Sequence, residues 1–215
     1  MTSTKTNTTV DEKTLEEWLN SNDVHLEYKC LLHDYGLDTL VNSKNVATRM
    51  KMAELDKKLD VLIYDDSPYV RTEVARQGYG LDRLVDDKEA YVRATVAQQG
   101  YGLDKLVNDK SWVVRAVVAQ QGYSLDTLIH DSSAGVRKAV AKQGYGLDIL
   151  IRDKDARVRK SVADQGYGLN VLMNDENFLV RTAVAKQKYG LDILINDEDA
   201  YVRRYVLENA DMSSK

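Results

Sequence analysis

The chain has 215 residues, 43% of them hydrophobic, and a formal net charge of −4 at pH 7. That balance argues against bulk electrostatic attraction to nucleic acid or acidic membranes, although a local patch can oppose it. The single cysteine, Cys30, excludes an intrachain disulfide, and no apolar run approaches the ~18 residues a membrane span requires.

The opening MTSTKTNTTVDEK is polar and lacks the apolar stretch of a secretory signal, so a cytoplasmic protein with a disordered lead-in over residues 1–11 is expected. Residues 12–34 read as a cap. There Leu15, Trp18 and Leu19 supply one short helix, and Leu26, Cys30 and Leu31 a second, with Trp18 shielding the open end of the core. From Tyr35 the chain becomes periodic. Tyr79, Tyr101, Tyr123, Tyr145, Tyr167 and Tyr189 recur every 22 residues, as do Val-Arg pairs from Val70-Arg71 to Val202-Arg203. Counting back from Tyr79 places Leu59, Leu62, Ile63 and Arg71 in register, and then Leu37, Leu40, Val41 and Arg49. The spacing predicts eight full units over residues 35–210 and a frayed tail over 211–215. Together these segments, 12–210, form one all-α domain.

Within one unit, Leu81, Leu84 and Val85 mark the apolar face of a very short first helix. Asp87 stands where a cap for the second helix belongs. That helix carries Val92, Val96 and Ala97, and stops at Gly100. Neither helix reaches the ~12–15 residues that give marginal stability alone, so each unit must bury its apolar face against its neighbours.

The pattern Leu103, Leu106, Val107, Asp109, then Val114, Arg115, Val118, Ala119 resembles the leucine-rich repeat variant family and, more broadly, HEAT-like helical repeats. The resemblance covers residues 12–210 and implies a right-handed α-solenoid, two short helices per unit, with the second helices lining one face. The Gln-Gly-Tyr-Gly turn departs from the family's usual Asn-Pro and longer unit. Some members carry a cysteine-bound iron–sulfur centre, which a chain with Cys30 alone excludes.

Several columns invite a chemical reading. Asp65, Asp87, Asp109, Asp131, Asp153, Asp175 and Asp197 each precede a repeat arginine by six residues. Seven equal pairs are what a structural ladder needs, whereas catalysis needs one differentiated site. The uniform Tyr and Gln columns read as turn chemistry in preference to a stacking groove. His25, His33 and His130 have no second ligand at helical spacing. No nucleophile, phosphate loop or metal constellation appears, so neither an enzyme, a cofactor, a metal site nor a small-molecule substrate is expected. A repair glycosylase on this scaffold would need a break in the repeat that supplies an aromatic–acid pocket, and none is visible.

The variable positions lie on the outer face of the second helices. Tyr69, Tyr91, Trp112 and Phe178 offer aromatic anchors beside Lys138, Lys142, Arg157, Lys160, Lys186 and Arg204. Aromatics next to cations are the composition of binding hot spots. A non-catalytic scaffold, regulatory or inhibitory, gripping a protein partner with an acidic surface is therefore expected. Nucleic acid along the same stripe is the alternative, and the net negative charge counts against it.

Overall fold

A computed structural model describes residues 10–210. The expected tail, and all but the last two residues of the expected lead-in, lie outside the described residues. Among those described there are 18 α-helices and no strand. The chain divides into two compact units between Tyr101 and Gly102.

In the first unit α1 (Glu12–Leu19) and α2 (Val24–Leu32) are followed by α3 (Leu37–Leu40), α4 (Val46–Glu54), α5 (Leu59–Leu62), α6 (Pro68–Arg76), α7 (Leu81–Leu84) and α8 (Ala90–Gln98). The second unit runs α9 (Leu103–Leu106), α10 (Trp112–Gln120), α11 (Leu125–Leu128), α12 (Ala134–Lys142), α13 (Leu147–Leu150) and α14 (Ala156–Asp164). It continues with α15 (Leu169–Leu172), α16 (Phe178–Lys186), α17 (Leu191–Leu194) and α18 (Ala200–Ala210). The first helix of each repeat is thus a single turn of 4 residues, shorter than its apolar spacing alone requires. The turn that follows each longer helix explains the punctuation. Gly166, at φ 73°, and Tyr167 return their amides to Ala163 and Val162 at 2.9 and 3.3 Å, closing the end of α14. Two residues on, Gly168 is again left-handed at φ 60°, and α15 starts immediately after it.

Neighbouring elements hold one another. Within the first unit α2 packs on α4, α4 on α6 and α6 on α8; within the second, α10 packs on α12, α12 on α14, α14 on α16 and α16 on α18. The single-turn helices α5, α11, α13 and α15 each touch the longer helix before and after them. The valine pairs Val70/Val74, Val136/Val140, Val158/Val162 and Val180/Val184 are wholly buried, with Leu62, Leu128, Leu150 and Leu172 beside them. At about 1.5–3 kcal/mol for each such side chain, this shared interior outweighs the low intrinsic stability of helices so short.

The Asp and Arg columns form a ladder between successive repeats. Arg137 donates from Nε and Nη2 to the Asp153 carboxylate of the next repeat at 2.6 and 2.9 Å, and from Nη1 to the Asp131 carbonyl of its own at 2.7 Å. Arg71–Asp87, Arg115–Asp131, Arg159–Asp175 and Arg181–Asp197 repeat the arrangement. The aspartates do not stand at the N-cap, as their place in the sequence suggests. Asp153 accepts from the amide of Asp155 at 2.8 Å, and Asp155 itself caps α14 through the amide of Arg157. Burial works against the ionised Asp131, but the Arg115 guanidinium and the Ser133 amide outweigh it and hold the carboxyl below its ordinary value. Among the described residues no buried side-chain nitrogen or oxygen lacks a partner.

Candidate functional site

The regular columns show no differentiated member. The six turn tyrosines are all 40–43% exposed, so no one of them is set apart as an anchor. Gln99, Gln143 and Gln187 donate to the carbonyls of Arg76, Gln120 and Asp164 at 3.3, 3.0 and 3.2 Å, tying each turn to the end of the preceding longer helix. Grooves on the ladder side are lined by Asp65, Asp87 and Arg71, or by Asp175, Asp197 and Arg181, groups already engaged in the ladder.

The outer face of the second helices is different. In the first unit Tyr69 and Tyr91 stack on each other, ring centroids 5.8 Å apart. Arg157 is held by Asp155 through two hydrogen bonds at 2.9 and 2.7 Å, and this contact brings the Asp155 carboxyl down to about 2. Lys160 pairs with Asp164 at 2.6 Å. Phe178 meets Tyr201 edge-on at 5.9 Å, Arg204 lies 5.6 Å over Tyr201, and Lys186 lies 5.7 Å over Tyr205. The basic stripe read from the sequence is therefore interrupted by internal pairing. Lys138, Lys142 and Lys186 have no ion-pair partner among the described residues, and of these Lys138 and Lys142 also lie over no aromatic ring.

Those two lysines share a concavity of about 240 Å³ with Trp112 and Arg157. Its floor is Ala116, Ala134, Gly135 and Ala139, and Gln120 closes one side. The indole owes its position to Gly135. A Cβ on that residue would lie 2.6 Å from Trp112 Cζ3, so the ring rests against bare backbone of α12. Trp112 nevertheless remains 51% exposed. Four of the residues singled out in the sequence, Trp112, Lys138, Lys142 and Arg157, are thus brought together. Lys160, Phe178, Lys186 and Arg204 do not line this pocket, and Tyr69 and Tyr91 form a pair of their own in the other unit.

Sequence reasoning missed the pocket floor. Gly135 carried a usable signal, because it stands in the column occupied by Tyr69, Tyr91, Arg157, Leu179 and Tyr201. It also missed Tyr64, whose ring takes Arg83 at 4.2 Å, and an apolar row of Ile149, Val171 and Ile193 on α13, α15 and α17, each more than half exposed. Among the described residues no group of three or more His, Cys, Asp or Glu side chains is placed to hold a metal, and no helix is long and apolar enough to cross a membrane. No family model matches the chain, and no curated protein matches it in sequence.

Proposed function

We propose that the chain is a non-catalytic helical-repeat protein, allied to the leucine-rich repeat variant and HEAT-like families, that binds a protein partner through the outer face of its second helices. On this reading it is a right-handed solenoid of about eight 22-residue units behind an N-terminal cap, and its role is regulatory or inhibitory in the cytoplasm. One observation carries the reading. The Asp–Arg ladder recurs from repeat to repeat and the turn tyrosines are uniformly exposed, whereas the second-helix face varies and keeps Lys138 and Lys142 unpaired beside Trp112. The intramolecular pairing of Arg157 and Lys160 shortens any cationic track, which favours a protein partner over nucleic acid.

The test compares partner capture from native cells by the wild-type chain and by Lys138→Glu/Lys142→Glu/Lys186→Glu. A control variant, Lys110→Glu/Lys154→Glu, makes reversals in the exposed loops ahead of α10 and α14. Loss of a specific partner in the first variant and its retention in the control is the expected result. Identical capture by all three proteins would remove the assignment of this face.

A further inference from the structure

We infer that the pocket between α10 and α12 is the anchor point for an aromatic side chain carried on an acidic peptide segment. The inference rests on the second-helix face being the partner site and specifies what it recognises. Three features of the pocket converge on that occupant. Its lining joins the exposed Trp112 ring, which lies against Gly135, to the small side chains of Ala116, Ala134 and Ala139. A planar side chain entering there can stack on the exposed indole, with the polar groups of Gln120, Lys138, Lys142 and Arg157 around it. The volume, about 240 Å³, is below the ~300–1,000 Å³ of sites that enclose a whole small molecule, and suits one side chain of a longer ligand.

Charge defines the flanks. Lys138 and Lys142 lie on one turn-to-turn row of α12, at the pocket edge, with no intramolecular carboxylate to neutralise them. Arg157, on the far side, has its fork occupied by Asp155, so it contributes a guanidinium plane and little net charge. Two available cations suit carboxylates adjacent to the anchoring residue. A nucleic-acid backbone, which gains affinity in proportion to the phosphates neutralised, finds only a short track here.

The probe is the capped peptide Gly-Glu-Glu-Phe-Glu-Glu-Gly, compared with versions in which Gln replaces every Glu or Ala replaces Phe, and with single-stranded oligothymidylate. The chain has two tryptophans, so in a Trp18→Phe background the emission reports Trp112 alone. The expected result is a saturable change in emission with the acidic peptide, weakened at least tenfold by Lys138→Glu, by Lys142→Glu, and by either change in the peptide. Gly135→Ala, which removes no binding group but displaces the indole, should weaken it as well, with helicity checked by circular dichroism. Equal affinity for the Gln peptide, no saturation at millimolar peptide, or oligothymidylate binding more tightly than the peptide would overturn the inference. The two readings fail separately. If the peptide does not bind and the triple lysine reversal still strips the cellular partner, the pocket assignment falls and the face survives. If the peptide binds as described and cellular capture ignores the reversal, the pocket chemistry stands and the face is not the partner site.

Discussion

Glu27 accepts a hydrogen bond from Ser43, 16 residues further on, at 2.9 Å, in the register where Arg71 grips Asp87. The rung is chemically inverted. Glu27 takes the arginine's place and is buried, Ser43 takes the aspartate's, and Asn45 and Thr48 add further donors to the same carboxylate. Ser43 still accepts the Asn45 amide at 3.1 Å, as the aspartates do in later repeats. Both residues changed together, which is what coupling across a rung requires. Glu27→Arg alone should destabilise the first unit by about 3–5 kcal/mol, because it buries a charge without a partner. Adding Ser43→Asp should recover much of that loss. The measurement is a double-mutant cycle by urea unfolding; strictly additive effects would show that the two positions do not act as a rung.

The ladder also sets the acid limit of the fold. In Asp87, Asp131, Asp153 and Asp197 burial pushes the carboxyl up, but the guanidinium of the preceding repeat and a local amide more than offset it, leaving each lowered. A depressed acid contributes stability that is complete above its unfolded value of ~3.9 and disappears as pH falls through the folded value. The urea midpoint should therefore be nearly constant from pH 7 to about 5 and decline below about 4. Asp153→Asn should lower the midpoint at pH 7 and flatten the decline. A midpoint that rises on acidification would mean that the ladder carboxylates are not the groups being titrated.

The all-helical, repeating character of the fold was legible in the sequence, and for a physical reason. A unit that cannot bury its own apolar face must repeat the same solution, so Val92, Val96, Leu84 and Arg71 recur where the stacking needs them. The pairing partner of each arginine was not legible: Asp65 and Asp87 are both plausible for Arg71 by sequence, and only the stacking distance selects the second for the side chain while leaving the carbonyl of the first for Nη1. The pocket was half legible. Trp112 broke its column and the lysines lay on the variable face, so they could be named, but the alanines of the floor carry no signal of their own, and that of Gly135 gains its meaning only from the indole lying against it. Nor could pairing of Arg157 with Asp155 be read, since a loop acid two residues away is equally able to face solvent.

Turn glycines divide into two kinds by what surrounds them. A Cβ on Gly166 would meet nothing within 4 Å, whereas one on Gly168 would lie 2.2 Å from Ile151 Cδ1 in the preceding turn. Both are left-handed, so Gly166→Ala should cost about 1 kcal/mol for conformation alone, and Gly168→Ala that amount plus the displacement of Ile151. At two places the chain already shows the alternative: Lys58 and Ser124 occupy this turn position, each preceded by valines, Val41 and Val107, that lack the offending methyl. Thermal unfolding of Gly166→Ala, Gly168→Ala, Ile151→Val and the Gly168→Ala/Ile151→Val double variant checks this. The double variant should be more stable than the sum of its parts. Equal costs for the two glycines would remove the steric component.

The last prediction separates stability from binding at one residue. Asp155 both caps α14, through the Arg157 amide at 2.9 Å, and neutralises the Arg157 side chain at the edge of the proposed pocket. Its counterpart in the preceding repeat, Ser133, caps α12 through the Gly135 amide at 3.2 Å without holding a cation. Asp155→Ala should lower stability by about 1 kcal/mol for the lost cap, and Asp155→Ser should restore most of it. Both substitutions release Arg157 and should tighten binding of the acidic peptide severalfold. Asp199→Ser, which alters the cap of α18 with the same change in net charge, serves as the control. If Asp199→Ser strengthens peptide binding as much as Asp155→Ser does, the gain comes from overall charge and Arg157 has no part in recognition. A gain confined to Asp155 would mean that the protein restrains a third pocket cation with the same carboxylate that starts its helix, so that one aspartate sets both the stability of α14 and the affinity of the face beside it.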